Sequence, residues 1–411
     1  MENPMKTQIK IRSTLCSCLA LVAFALPAQA GLARPLRPEQ SALWASQARY
    51  KQAMHNPAHY LKDPKLANAT VETDATSAPK ARSGKFSSVY KFTTESGRVV
   101  AVRFFHPHHA ADDTHGPQAI ARKYAIVERT FEALRAQKRL PPEIIETAMV
   151  SGGIEIDGRR LPIQKLPWIG GRELDAWVER RLNQNRPEAL AALAENFRAT
   201  VQELQALGIA HGDLHHGNIK IDGENTYFID YDAMFVPELA GGETAEIGHP
   251  HYQHPGLMFP QPTRRAFDAR MDHFSSTVIY LSLIALTDNP RLWDAYHDEA
   301  SNHLIFDTFR DYQKTSESPL FRELLASANP VVRGLARKLI AAIQGSPQNV
   351  PSLEQSLTGL VAPLPGAEAP IAPEAAVPTA VVPAAPPIDP AAEKTAPGFL
   401  ARMLQRLQRR P

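Results

Sequence analysis

The sequence predicts an α+β fold in which a small, strand-rich half precedes a larger helical half. Three observations carry that reading. Ser88 to Phe92 and Val99 to Phe105 are strand-like runs on either side of Glu95-Ser96-Gly97-Arg98, which spells a hairpin. Ile154 to Gln164 repeats the pattern around Asp157-Gly158, a tight-turn dipeptide. Beyond residue 173 the apolar residues fall mostly at helical spacing, interrupted by a strand pair around Asn218 to Ile229. Between the hairpins, Ile120, Tyr124, Val127, Phe131 and Leu134 mark one face of a helix. The most apolar helix, Thr277 to Leu286, is about ten residues long, which suits a buried core helix and not a membrane span.

Composition removes several chemistries. Lys and Arg number 45 against 43 Asp and Glu, for a net charge of +2 without a long basic run. Nucleic acid is therefore excluded as the main partner, since that affinity needs clustered cations. Both cysteines, Cys16 and Cys18, lie in the N-terminal apolar stretch, so a disulfide, a thiolate metal site or a Cys nucleophile is excluded elsewhere.

The ends read separately from the middle. Residues 1–30 carry Lys6, Lys10 and Arg12, an apolar run from Leu15 to Leu26, and Ala28-Gln29-Ala30, the pattern of a cleaved export signal. An apolar helix of roughly a dozen residues rises only ~18 Å, short of a ~30 Å bilayer core. Export to the periplasm or beyond is the expectation, with a membrane anchor as the alternative. The layout is a signal at 1–30, an extension at 31–82, the main domain at 83–345, a Pro/Ala-rich linker at 346–398 and a basic tail at 399–411. In that tail Phe399, Leu400, Met403, Leu404 and Leu407 share a helical face opposite Arg402, Arg406, Arg409 and Arg410, which suits a membrane surface or a protein partner.

The chemistry concentrates in His211-Gly212-Asp213-Leu214-His215-His216-Gly217-Asn218, followed by Asp230-Tyr231-Asp232 after the apolar Tyr227-Phe228-Ile229. A loop carboxylate five residues before an amide, with another carboxylate after the next hairpin, can set one base beside an acceptor hydroxyl. The remaining oxygen donors then suit Mg²⁺ on a nucleotide. Singly, each is a turn cap or a surface acid; their joint spacing is what points to phosphoryl transfer.

These motifs resemble the protein kinase-like family, with its catalytic loop His-Arg-Asp-Leu-x-x-x-Asn and its metal-binding Asp-Phe-Gly. Gly248-His249-Pro250-His251-Tyr252-Gln253-His254-Pro255-Gly256 resembles the end of a kinase activation segment, and Asp272-His273-Phe274-Ser275 the start of the central helix of the large lobe. Gly84 with Val89 resembles the phosphate-covering loop, Ala101-Val102-Arg103 the strand of the ATP-anchoring cation, and Leu166 to Gly171 the adenine hinge. The likeness runs from about Ser83 to Gln344, with Tyr50 to Asp63 as a leading extension of the same domain. It implies a two-lobed fold with a β-rich N-lobe at about 83–165 and a helical C-lobe at about 172–345. It further implies ATP and Mg²⁺, with Asp213, His215 and Asn218 as catalytic residues and Asn218 and Asp230 on the metal. Gly84, Val89, Ala101, Arg103, Glu128, Leu166, Trp168 and Ile169 would form the nucleotide site.

Departures from the family pattern leave three readings open. Arg103 stands where the family has Lys, and a basic Arg122 lies near the position of its helical acid partner, so Glu128 is the expected substitute. Gly212 replaces the Arg that reads an activation-segment phosphate, which argues against phosphate gating. A protein Ser/Thr kinase-like enzyme leads, followed by a pseudokinase acting as a binding module and by a small-molecule phosphotransferase like the aminoglycoside and choline kinases. The acceptor is a hydroxyl, with protein ahead of small molecule. A second cluster, His106 to His115, has metal-ligand residue types but reads as a solvated loop, and His249, His251 and His254 read as packing for the loop that faces substrate.

Overall fold

Alternating side chains build the first half around one antiparallel sheet. In this computed structural model β1 (Thr70–Val71), β2 (Ala81–Ser83), β3 (Ser87–Thr93), β4 (Val99–Phe105), β5 (Ala148–Ile156) and β6 (Arg159–Pro167) pair in the order β1-β3-β4-β6-β5, with β2 also on β3. The β5–β6 turn places Asp157 at φ 53° and Gly158 at φ 73°, the left-handed pair a two-residue hairpin requires. Val89 lies opposite Arg103, Arg103 opposite Gln164, and Ala101 opposite Leu166, so these residues share one face. The other face carries Tyr90, Phe92, Val102, Phe104 and Ile163, and buries them against Tyr50, Ala53, Met54 and Leu61.

The structure describes residues 43–66, 68–84, 87–106, 116–258, 264–298, 302–362 and 364, and all but residue 364 belong to one unit, residues 1–363. The export signal, the basic tail, residues 363 and 365–398 of the Pro/Ala-rich linker, and the histidine cluster beyond His106 lie outside the described residues.

Two helices of the leading segment, α1 (Gln47–Ala53) and α2 (Pro57–Tyr60), supply that second layer, and Tyr50 meets Phe104 at 5.2 Å between ring centroids. The expected boundary at residue 83 is thus corrected: residues from Trp44 onward are part of the packed domain, because the outer face of the sheet needs their apolar side chains. On the inner face, α3 (Pro117–Ala136) presents Tyr124, Val127 and Phe131 to the core, as its spacing predicts.

The second half is helical. It comprises β7 (Arg172–Glu173), α4 (Leu174–Asn183), α5 (Glu188–Ala206), the hairpin β8 (Ile219–Asp222) and β9 (Asn225–Phe228), β10 (Glu243–Thr244), α6 (Pro255–Met258) and β11 (Arg265–Ala266). Then follow α7 (His273–Asp288), α8 (Arg291–Tyr296), α9 (Pro319–Ala326), α10 (Pro330–Gln344) and α11 (Leu353–Leu357). α7 is buried almost all round and forms the centre of this half. Among the described residues no helix is long and apolar enough to cross a membrane.

The expected end at residue 345 also moves. α11 starts with a Ser352–Gln355 capping box, buries Leu353 and Leu357, and offers Glu354 to the buried Arg198 at 2.6 and 2.8 Å. Arg198 also donates to the carbonyl of Ala362 at 3.0 Å, so the packed unit runs through that residue and the first part of the expected linker is structured. Two lobes, a curled antiparallel sheet and a helical half, give the α+β architecture the sequence predicts.

Candidate active site

A cavity of about 350 Å³ opens between the inner face of the sheet and the helical half. Its apolar lining comes from Val89, Ala101, Ile145, Leu166, Ile169 and Ile229. Trp168 closes one side, with the Arg82 guanidinium 4.7 Å and the Lys91 ammonium 5.3 Å from its ring centroid. Gly84, Arg103, Asp213 and Asp230 also line this space. The residues chosen from sequence for the nucleotide site therefore meet around one cavity, with the exception of Glu128. His215 and Asn218 stand beside Asp213 and complete the expected catalytic loop.

Arg103 is buried, and each of its three guanidinium nitrogens has a partner. Nε donates to Ser87 Oγ at 2.7 Å, Nη1 to the Tyr124 hydroxyl at 3.3 Å, and the guanidinium forms ion pairs with Asp230 and Asp232. Burial works against its charge, but the two aspartates outweigh burial and hold the guanidinium more firmly charged than usual. Glu128 is not its partner, which corrects the expectation. One helical turn separates Glu128 from Tyr124, and it is Tyr124 that faces Arg103, while Glu128 accepts from Thr147 Oγ1 at 3.1 Å. The carboxylate comes instead from Asp232, which also accepts from the Tyr124 hydroxyl. Lys123 donates to the Asp232 carbonyl, and burial pushes its ammonium down to about 8 despite Asp232 and Glu246 nearby. Two cations and a phenol thus converge on the second Asp of the Asp-Tyr-Asp loop.

The catalytic loop is held from below by Asp272, the residue preceding α7, which accepts from the backbone N–H groups of His211 and Gly212. Gly212 has φ 82°, and a Cβ there would sit 2.3 Å from the Ala233 carbonyl oxygen. No side chain fits, so a phosphate-reading Arg is sterically barred at this position. Arg265 occupies the neighbourhood, donating to the Gly212 carbonyl and, at 3.0 Å, to Gln253 Oε1. Gly212→Ala is expected to destabilise the protein by about 1–3 kcal/mol or more, seen as a lowered thermal midpoint. A midpoint equal to the parent's would contradict this account.

Asp213 Oδ1 accepts from the His249 N–H at 2.8 Å, and Asn218 Nδ2 donates to the Asp213 carbonyl at 2.8 Å. Burial raises the Asp213 carboxyl to about 6. His215 Nδ1 accepts from the Gly217 N–H at 3.1 Å, which leaves the proton on Nε2, 3.7 Å from Asp213 Oδ2. Burial, then His249 and His216, hold that imidazole neutral by lowering its pKa well below the usual value. His215 is consequently a neutral hydrogen-bond donor.

Asp230 follows β9 at φ 66°, a left-handed conformation that a short polar side chain tolerates. Its neighbour Ile229 donates its N–H to the Asn218 carbonyl at 2.9 Å, so the two expected metal ligands sit side by side at the base of the β8–β9 hairpin. The Asp230 side chain is 43% exposed, and Asn218 uses its amide nitrogen on Asp213, which leaves its oxygen available. This hard-oxygen set fits Mg²⁺.

Glu246 was not legible in the sequence as a site residue. It lines the cavity, accepts from the Gly248 N–H at 3.2 Å, and has Asp213, Asp232 and Asp230 as electrostatic neighbours. Burial, followed by those carboxylates, raises its pKa from 4.5 to about 7. The folded state therefore binds a proton that the unfolded chain releases, and stability falls as pH rises from about 4.5 to 7. Glu246→Gln is expected to flatten that slope, measurable as thermal midpoint against pH in the nucleotide-free protein. An unaltered slope would exclude Glu246 as its source.

The histidines around Tyr252 pack the loop, as expected. His216 bonds the Tyr252 hydroxyl at 2.8 Å, His251 accepts from the Thr308 N–H at 2.9 Å, and His254 bonds the Ala342 carbonyl at 2.9 Å. Among the described residues no group of His, Cys, Asp or Glu has the arrangement of a metal site. Thr244 is buried, with its hydroxyl accepting the Glu246 N–H at 3.1 Å, so the hydroxyl faces inward and not toward a modifying enzyme.

Comparison with known proteins agrees with this geometry. No curated protein matches the chain. Residues 94–252, which run from the β3–β4 turn to Tyr252 and include the expected catalytic and metal loops, match the model of the phosphotransferase enzyme family, APH. Together with the two-lobed fold and the residues around its cavity, that match supports the protein kinase-like family of phosphotransferases for this domain.

Proposed function

We propose that the protein transfers the γ-phosphoryl group of ATP to a hydroxyl, most readily one on a protein. The observation that carries the reading is the His249 N–H bond to Asp213, which ties the activation-segment-like turn to the catalytic loop. In this reading the acceptor oxygen attacks the γ-phosphorus, the bond to the β–γ bridging oxygen breaks, and ADP leaves with that electron pair. Asp213 takes the acceptor proton, with its raised pKa suiting the task near neutrality. Neutral His215 donates from Nε2 toward the transferring group, and Arg103 faces the α- and β-phosphates. Asn218 and Asp230 would hold Mg²⁺, whose charge would offset that of the phosphates.

A small-molecule acceptor is favoured by one specific observation, the steric need for Gly at position 212. Purified protein with Mg²⁺ and γ-labelled ATP separates the readings. Label on a protein acceptor supports the proposal, label on a small alcohol moves the protein to the second reading, and nucleotide binding without transfer makes it a pseudokinase. Export through residues 1–30 belongs to the same proposal, and mass spectrometry of the mature N-terminus in cell fractions tests it.

A further inference from the structure

Deepening the phosphotransfer reading, on which it rests, we infer that Arg265 is a positioning residue for Asp213, holding both the peptide that carries Asp213 and the turn that faces it. The carbonyl of Gly212 belongs to the planar peptide unit shared with Asp213, so whatever fixes that carbonyl fixes the backbone from which the Asp213 side chain departs. Arg265 Nη2 donates to it. The N–H groups of His211 and Gly212 are held by the Asp272 carboxylate. An acid and a base thus grip three consecutive peptide units, the last of them the one that leads into Asp213. Gly212 has no side chain to pack and sits at φ 82°, so its orientation is set from outside. The backbone of Arg265 is itself anchored, since β11 pairs antiparallel with β10 and places Arg265 opposite Thr244.

The other arm reaches the turn that faces Asp213. Arg265 Nη1 donates to Gln253 Oε1 at 3.0 Å, and Gln253 is 2% exposed. Gln253 lies four residues past His249, whose N–H bonds Asp213 Oδ1. Its amide packs against Gly248, where a Cβ would collide with Gln253 Nε2 and stand 3.2 Å from Asp213 Oδ1. Arg265 therefore spans the same two segments that the His249–Asp213 bond joins, and a shift of Gln253 reaches Asp213 through Gly248. Burial works against the charge of Arg265, and among the described residues its two hydrogen bonds go to neutral oxygens, not to a carboxylate. An apolar side chain would fill the same space without that desolvation cost. What a guanidinium adds is a rigid fork that presents two donors at a fixed separation, one to each segment. Its charge also faces Asp272, Asp213 and Glu246 through space, which offsets the carboxylates grouped around the loop.

The test follows single-turnover transfer of label from Mg²⁺ and γ-labelled ATP to two acceptors, the full chain itself and water. Calorimetric affinity for Mg²⁺-ATP is measured beside it, in the parent, Arg265→Lys, Arg265→Met and Gln253→Leu. Arg265→Met is expected to lower transfer by about 10- to 100-fold while affinity stays within about 2-fold of the parent's, the split that a displaced Asp213 produces. Arg265→Lys keeps the charge and a donor for the Gly212 carbonyl, and is expected to recover part of that loss. Gln253→Leu leaves the Gly212 bond in place; it is expected to lower transfer less than Arg265→Met at unchanged affinity, and it carries the test should Arg265→Met fail to fold. Parental transfer in Arg265→Met, or in Gln253→Leu where Arg265→Met does not fold, overturns the inference and leaves the phosphotransferase reading intact. Rate and affinity that fall together, or no recovery with Lys, also overturn it, because they make Arg265 a structural tie only. A parent that binds Mg²⁺-ATP and transfers to neither acceptor removes the phosphotransferase reading itself, and this inference with it.

Discussion

Exchanging Asp213 for asparagine is expected to lower phosphoryl transfer by about 10²–10⁴-fold while leaving the affinity for Mg²⁺-nucleotide close to the parent's. The asparagine keeps the shape of the side chain and still presents an oxygen to the His249 N–H, and the Asn218 amide still finds the carbonyl at position 213. What disappears is the proton acceptor. Because Asp213 is buried and carries a raised pKa, its replacement by a neutral amide also removes a like charge from the neighbourhood of Asp230 and Glu246. The fold should therefore survive, and the loss belongs to the chemical step. Single-turnover transfer from labelled ATP, beside calorimetric affinity, separates the two quantities. A variant that transfers at the parental rate would remove Asp213 as the base, and the proposed reaction with it. Asp230→Ala is the complementary variant, in which affinity for the Mg²⁺-nucleotide falls first, because a metal oxygen is lost.

The parts of this site that were legible in the sequence are those defined along the chain. Asp213, Asn218 and Asp230 sit on one loop and one hairpin, so their spacing carries their geometry. Both hairpins of the small lobe were legible for the same reason, since Asp157-Gly158 and the turn before Arg98 are local chemistry. Glu128 failed because helix periodicity identifies a buried face but not which residue of that face meets a strand. Tyr124 and Glu128 are one turn apart, and only the docking of α3 on the sheet decides between them. Lys123, Glu246 and Arg265 were missed because each reaches the site from an element whose approach depends on tertiary packing. The ends of the domain were misplaced by a related effect. Leu353 and Leu357 lie next to Pro/Ala-rich sequence, and nothing local shows that Arg198, more than 150 positions earlier, provides an anchor for Glu354.

Arg103→Lys is expected to lower turnover, not to restore it, even though Lys is the residue this family pattern has at that position. A guanidinium here satisfies four groups at once: Ser87 Oγ, the Tyr124 hydroxyl, Asp230 and Asp232. An ammonium is a compact point charge with a shorter reach and lacks the planar fork, so it gives up part of this set and shifts within a site shaped for the fork. Displacement of a positioned group by about 1 Å can cost on the order of 10²-fold in rate. The expected result is turnover reduced by up to that factor. Arg103→Ala should do more, because Asp230 and Asp232 would face each other without their buried cation, and removing one partner of a buried pair costs about 3–5 kcal/mol. Thermal denaturation should therefore report Arg103→Ala strongly and Arg103→Lys weakly. Glu128→Gln is the internal control, expected to match the parent in turnover because its carboxylate bonds Thr147 and not Arg103. Asp232→Asn should resemble Arg103→Lys, since it weakens the same contact from the other side. Turnover that rises with Lys at position 103 would mean that the guanidinium holds the phosphates out of line, and that Asp232 restrains the site instead of assembling it.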